Sequence, residues 1–279
     1  MTWLRRHPIA CFLLVTYAVT WGAWLSLAAA GRTVGPGFQP LYLLGLVGPL
    51  IGAVVTSSLH AGGLHELMLR FTRIPRTRWW LVALGVPLAI GAVTLVGSLL
   101  IATFGIGYRT DRDFGAFTGF PLTTPIVLWL MLVLVDGFGE EAGWRGFLLS
   151  HLQRKRSPLA ASLVVGGCWA LWHWPAFLIC DTYRALPLAV LPVFFLGILA
   201  GSVFLAWLYD KSGGSILVVA VWHGTYNLLS GSVGARGALA AIETIAVIVL
   251  AVVLVTARRI PGSRRGAPAS RRPTPAAHA

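Results

Sequence analysis

Charge is scarce in this chain. Asp, Glu, Lys and Arg together make up 11% of its 279 residues, while hydrophobic residues make up 57%. A soluble domain carries about 25% charged residues, so this chain is too apolar to dissolve and the bilayer is its natural solvent. Cysteine is scarcer still. Cys11, Cys168 and Cys180 all fall in apolar runs without zinc-type spacing, which excludes a cysteine zinc site and a disulfide framework. His65-Glu66-Leu67-Met68-Leu69 starts like a zinc protease motif but lacks the second His. A Gly-x-Ser-x-Gly nucleophile elbow is missing too. The formal charge is +13, yet Lys and Arg lie in the gaps between apolar runs and in the tail, not on a soluble stripe. That placement indicates anchoring to anionic membrane lipids, and no nucleic-acid partner.

What the chain has in abundance is long apolar runs. Spanning a bilayer takes about 20 apolar residues, and eight stretches qualify: 9–30, 41–60, 79–104, 122–150, 159–179, 186–209, 215–231 and 238–257. The first follows Arg5 and Arg6 and exceeds a signal-peptide core in length, so it reads as an uncleaved membrane helix. Residues 65–78 read as a basic loop or interfacial helix. The expected architecture is an all-α bundle of about eight transmembrane helices forming one domain over 1–260, with a disordered basic tail at 261–279.

Basic residues orient this bundle. With the N-terminus in the cytoplasm, 16 of the 22 Lys and Arg fall inside: Arg5, Arg6, the four at 70–78, 154–156, Lys211 and the six at 258–272. Five fall outside (Arg32, Arg109, Arg112, Arg184 and Arg236), and Arg145 lies within a helix. The asymmetry predicts a multi-pass protein of the cell membrane with both termini cytoplasmic.

Chemistry should sit where ionisable groups enter apolar runs, because each costs several kcal/mol there. Of nine acidic residues, Asp136, Glu140 and Glu141 lie together in the fourth stretch. Glu141 and Arg145 are four apart and can pair on one helix face. Glu140 points about 100° away, which leaves it free for proton transfer. His173 lies in the fifth stretch, and His223 and Asn227, also four apart, lie in the seventh. At about 1.5 Å per residue, these four residues fall roughly 12–21 Å from the cytoplasmic ends of their helices, in one layer of the membrane.

Together the motifs resemble the CAAX prenyl protease and bacteriocin-processing family of intramembrane glutamic endopeptidases. Glu140, Glu141 and Arg145 match its Glu-Glu-x-x-x-Arg motif. Trp169 and His173 match its aromatic-x-x-x-His motif, with Trp where Phe is usual. His223 and Asn227 match its His-x-x-x-Asn motif. The resemblance covers about 122–231, the expected catalytic core. It implies that Glu140, assisted by His173, activates a water, and that His223 and Asn227 stabilise the oxyanion. Glu141, Arg145 and Trp169 support the site, no metal cofactor is needed, and the partner is a peptide or protein substrate in or at the membrane. Three other readings stay open on the residues alone. His173, His223 and Glu140 form a chemically reasonable zinc set. The same groups would serve a proton-coupled transporter. A non-catalytic scaffold or immunity protein of this fold is the third.

Overall fold

The computed structural model describes residues 2–35, 37, 39–103, 120, 123–184, 186–231, 238–257 and 259. Among them the architecture is helical throughout. The main helices are α1 (Pro8–Ala29), α2 (Pro40–Leu46), α3 (Gly48–Ser58), α4 (Gly63–Phe71) and α5 (Thr77–Thr103). A long helical run, 125–152, is α6. It is followed by α7 (Pro158–Trp172), α8 (Leu191–Lys211), α9 (Ile216–Ser230) and α10 (Ala238–Thr256). Starts are chemically marked. Pro stands in the first turn of α1, α2, α3, α7 and α8, and Ser157 and Ser215 cap α7 and α9 by accepting from Ala160 and Val218 amides.

Each of the eight predicted stretches contains helix among its described residues, but they are not eight equal rods. Among the described residues, four helices are long and apolar enough to cross a membrane, or five if α2 and α3, bent by 54°, are taken as one. The bend follows from Gly-Pro at 48–49, where proline cannot continue the preceding hydrogen-bond ladder. The 159–179 stretch breaks as well. Its α-helix stops at Trp172, His173 is the C-cap, and a turn through Pro175 leads to the short helix Ala176–Ile179. The basic segment at 65–78 begins as the amphipathic helix α4. The proposed tail, 261–279, lies outside the described residues.

The run α6 is not plain α-helix. Its α-turns Pro125–Leu132, Phe138–Glu141 and Ser150–Leu152 alternate with π-helical Val133–Gly137 and Ala142–Leu149. π-Segments are uncommon and cluster at functional positions. Here they bracket Glu140 and Glu141.

Packing places α6 in the middle. It contacts α9 on one side and α3 on the other, while α1 packs on α3, α7 on α8, α8 on α10, and α9 on α5. Small residues allow the closest approaches. A Cβ on Gly137 would come within 2.5 Å of the Ala220 carbonyl oxygen, and one on Gly224 within 2.7 Å of Val133 Cα. α6 and α9 therefore touch backbone to backbone, where dispersion is the main attraction available in lipid.

Hydrogen bonds between connections define two ends of the bundle. At one end, the Arg70 guanidinium reaches Ser150 and Tyr209, Ser215 Oγ donates to Arg73 O at 2.7 Å, Gln153 Nε2 to Asp210 Oδ2 at 2.8 Å, and His60 Nε2 lies 3.0 Å from Arg5 O. At the other end, Val34 N donates to Ile179 O at 2.7 Å and Gly37 N to Phe120 O at 3.3 Å.

Candidate active site

The acidic pair sits at the contact of α6 with α7 and α9. Glu141 and Arg145 are both fully buried, and Arg145 Nη1 donates to Glu141 Oε1 at 2.8 Å. The spacing of four predicted this pair. Its geometry is a single hydrogen bond and not a fork: Arg145 Nε and Nη2 and Glu141 Oε2 have no hydrogen-bond partner among the described residues. The guanidinium gains its second contact from a ring, lying 4.7 Å above the centre of Trp169. That cation–π stacking fixes a planar cation where a carboxylate supplies only one oxygen.

Trp169 then acts through its other edge. Its indole Nε1–H donates to Glu140 Oε2 at 2.6 Å. Glu140 was expected to lack a local partner; the sequence could not show that a helix crossing from residue 169 would bring one. The remaining oxygen, Oε1, lies 4.0 Å from His223 Nε2. The other nitrogen of His223, Nδ1, is 2.8 Å from Glu141 Oε1. A carboxylate oxygen accepts, so Nδ1 carries the proton and Nε2 is aimed at Glu140. Glu141 thus takes Arg145 and His223 on one oxygen.

His173 is held in the same way by backbone. Its Nδ1 is 2.8 Å from Trp169 O, a carbonyl that can only accept, which presents Nε2 as the chemically available nitrogen. The C-cap position makes this possible, since the helix has ended and the ring folds back over its last turn. Trp172, Tyr183 and Phe194 surround the imidazole edge-on at centroid distances of 4.9, 6.1 and 6.1 Å.

Asn227 Nδ2 donates to Asp136 Oδ2 at 3.0 Å, and Asp136 is 6% exposed. Sequence reasoning noted Asp136 but gave it no part in the site. The signal was present, because 136 and 140 are four apart on α6 and share a face. Glu243, 3% exposed on α10, was passed over too, although an acidic group inside an apolar run marks a functional position.

Glu140, His173, His223 and Asn227 all line one cavity of about 330 Å³, with Asp136, Asp181, Glu243 and the aromatic faces of Trp24, Trp172 and Phe194. The structure therefore brings together side chains from α6, the α7 C-cap and α9. Glu141 and Arg145 lie behind the wall. Among the described residues, no three His, Cys, Asp or Glu side chains are grouped to hold a metal ion.

Carboxylate, imidazole and amide groups thus line one cavity of a polytopic helical bundle, and the class this defines is a multi-pass membrane protein. Comparison with known proteins adds what the chain is similar to. Residues 122–229 match the type II CAAX prenyl endopeptidase Rce1-like family. CAAX prenyl protease 2 of Methanococcus maripaludis is 28% identical over 229 residues, which cover 78% of this chain and 82% of that relative. The chain is thus similar to CAAX prenyl proteases, and its apolar helices are those of a multi-pass membrane protein.

Proposed function

We propose that the chain is a glutamic endopeptidase that hydrolyses a peptide bond of a membrane-associated substrate inside this cavity. The observation that carries the proposal is the convergence of Glu140, His173, His223 and Asn227 on one apolar-walled space, each ring or carboxylate held by a partner on its far side.

In this reading Glu140 Oε1 and His173 Nε2 hold the attacking water, and Glu140 takes its proton as the oxygen adds to the scissile carbonyl. The developing oxyanion accepts from the free N–H of Asn227 Nδ2 and from His223 Nε2. An imidazole whose Nδ1 already donates to Glu141 can donate from Nε2 only when doubly protonated, so His223 works as the imidazolium. Glu141 beside it balances that charge. Protonated Glu140 then passes its proton to the leaving amine, and the site is restored. Trp169 and Asp136 are positioning residues for Glu140 and Asn227.

The eight helical stretches would all cross the membrane, α2 and α3 as one broken span, with both termini cytoplasmic. Lipids solvate the outer faces, where Leu81, Leu88, Val93 and Leu100 are exposed on α5. The chemistry proposed needs no metal.

The test is a comparison of peptides from membranes carrying the wild type, Glu140→Gln or no protein. The wild type should generate fragments that both other samples lack. Identical peptide sets in the wild type and the Gln variant would remove Glu140 from catalysis. Phenanthroline and EDTA should leave turnover unchanged; loss of activity restored by zinc would establish the metal reading instead.

A further inference from the structure

A second cavity, of about 240 Å³, lies at the end of the bundle where Arg70 reaches Ser150 and Tyr209. It is walled by α4 and the last turns of α6, with Pro8 of α1 and His60 of the α3–α4 turn at its sides. Gly146 and Phe147 line it from α6, and Glu66, Arg70, His151 and Arg154 bring most of its polar groups. The peptidase reading uses none of these residues.

Each polar group has a definite setting. The Arg70 side chain is 17% exposed. Its Nη1 donates to Gly146 O and to the Tyr209 hydroxyl at 2.8 Å, and its Nη2 donates to Glu66 Oε1, so that these two opposite charges cancel within the wall. His151 stacks on Phe147 with ring centroids 4.1 Å apart, and its Nδ1 lies 2.8 Å from Phe147 O. A carbonyl only accepts, so Nδ1 carries the proton and Nε2 is the nitrogen open to a ligand. Arg154 is exposed and forms no ion pair among the described residues. The pocket thus combines a guanidinium charge that no carboxylate balances with acceptor atoms on His151 and Glu66. A phosphate ester that also carries hydroxyl groups matches both: guanidinium donates to phosphate oxygens, and hydroxyls donate to the imidazole and the carboxylate.

The level of the pocket indicates where such an ester comes from. Helix α4 is amphipathic: Leu67 is 3% exposed, while Leu64, Met68 and Leu69 are 39%, 47% and 46% exposed. A helix with an apolar outer face next to basic groups lies in the membrane interface, its apolar side chains among acyl chains and its cations among headgroups. Trp3, 53% exposed at the same end, is a residue type enriched at that level. We infer that the pocket binds the headgroup of an anionic phospholipid, its phosphate held by Arg154, its hydroxyl groups turned to His151 and Glu66, and its acyl chains lying along the outer face of α4. The site is separate from the cavity of Glu140, and the inference stands whether or not the peptidase reading does.

The test is a thermal melt of the full chain in neutral detergent with phosphatidylglycerol, phosphatidylcholine or soluble glycerol phosphate added. Phosphatidylglycerol at about a hundredfold excess over its Kd should raise the melting temperature by roughly 5–11 °C, and phosphatidylcholine should leave it in place. Arg154→Ala removes the unbalanced charge, and Ala61→Trp fills the rim of the pocket with the charge unchanged; both positions are exposed and line the pocket. Each variant should melt with the wild type when lipid is absent and lose most of the shift when it is present. Arg156→Ala removes an exposed cation outside the lining and should keep the shift. Equal losses in Arg154→Ala and Arg156→Ala would mean diffuse attraction to surface charge and overturn the site, as would a full shift in Ala61→Trp. If Arg154→Ala melts low without lipid, Ala61→Trp alone decides. An equal shift from phosphatidylcholine overturns the anionic headgroup. A shift that glycerol phosphate reproduces overturns the lipid as the source of the phosphate.

Discussion

Replacing Arg145 by Ala separates the support of the site from its chemistry. Arg145 is fully buried, with its guanidinium bonded to Glu141 at 2.8 Å and stacked on Trp169 at 4.7 Å. Truncation leaves Glu141 as a buried anion facing only His223. Breaking one partner out of a buried pair costs about 3–5 kcal/mol, and the lost stacking adds roughly 1–2 kcal/mol. For a chain of this size, about 2–4 °C of melting temperature per kcal/mol converts the sum to a fall of roughly 8–28 °C. Glu140→Gln makes the opposite case. An amide oxygen still accepts from Trp169 Nε1, so the melt should move little while turnover disappears. Arg145→Lys should recover the charge but not the planar stacking, and land between Ala and wild type. The assay is a thermal melt in detergent beside turnover on the same preparations. If Arg145→Ala melts with the wild type, or Glu140→Gln is the destabilised variant, the roles assigned to these two residues are interchanged.

Three further outcomes follow from particular contacts. Trp169→Phe keeps a ring over Arg145 but deletes the donor to Glu140; a hydrogen bond to a charged group contributes about 1.5–3 kcal/mol, so kcat should fall roughly 10- to 100-fold. An unchanged kcat would show that this bond does no positioning. Gly137→Ala drives a methyl group onto the Ala220 carbonyl at 2.5 Å and should pry α9 from α6, lowering both melting temperature and activity; a neutral effect on both would contradict the backbone contact. Arg70 holds the Glu66 carboxyl below its ordinary range through their hydrogen bond. Its stabilising contribution is therefore complete above that range, near pH 4.5, and is lost as pH falls through the depressed value. Because Glu66 is 56% exposed, the gain is within about 1 kcal/mol. Glu66→Gln should flatten that acid-side loss of stability slightly, and an unaltered profile would refute it.

Much of the site was readable from the chain because burying an ionisable group in an apolar run is costly, so each one stands out. Glu140, Glu141, His173 and His223 were singled out in that way, Asn227 by its spacing of four from His223, and the Glu141–Arg145 pair followed from spacing alone. What spacing could not supply were contacts between helices. The Trp169–Glu140 bond joins residues 29 apart, and the Asn227–Asp136 bond joins residues 91 apart. Hydropathy located the helices but not their breaks. The stop at His173 and the bend at 48–49 arise from local hydrogen bonding and proline, to which a hydropathy window is blind. Periodicity also assumes 3.6 residues per turn, and for that reason the π-segments of α6 were invisible.

Those two π-segments make the length of α6 negotiable. A π-turn accommodates a residue that an α-helix of the same rise has no room for, so it behaves as an insertion already absorbed. Deleting a residue from an ordinary helix rotates everything beyond it by about 100°. Deleting one between residues 142 and 149 would instead let the helix tighten to α pitch, with Ser150 and the contacts of Arg70 kept nearly in register. Carboxylates placed upstream of such slack are insulated from length changes downstream. The acidic pair is in this sense suspended between two expansion joints, free to keep its facing while the rest of the span is lengthened or shortened to suit a membrane of different thickness.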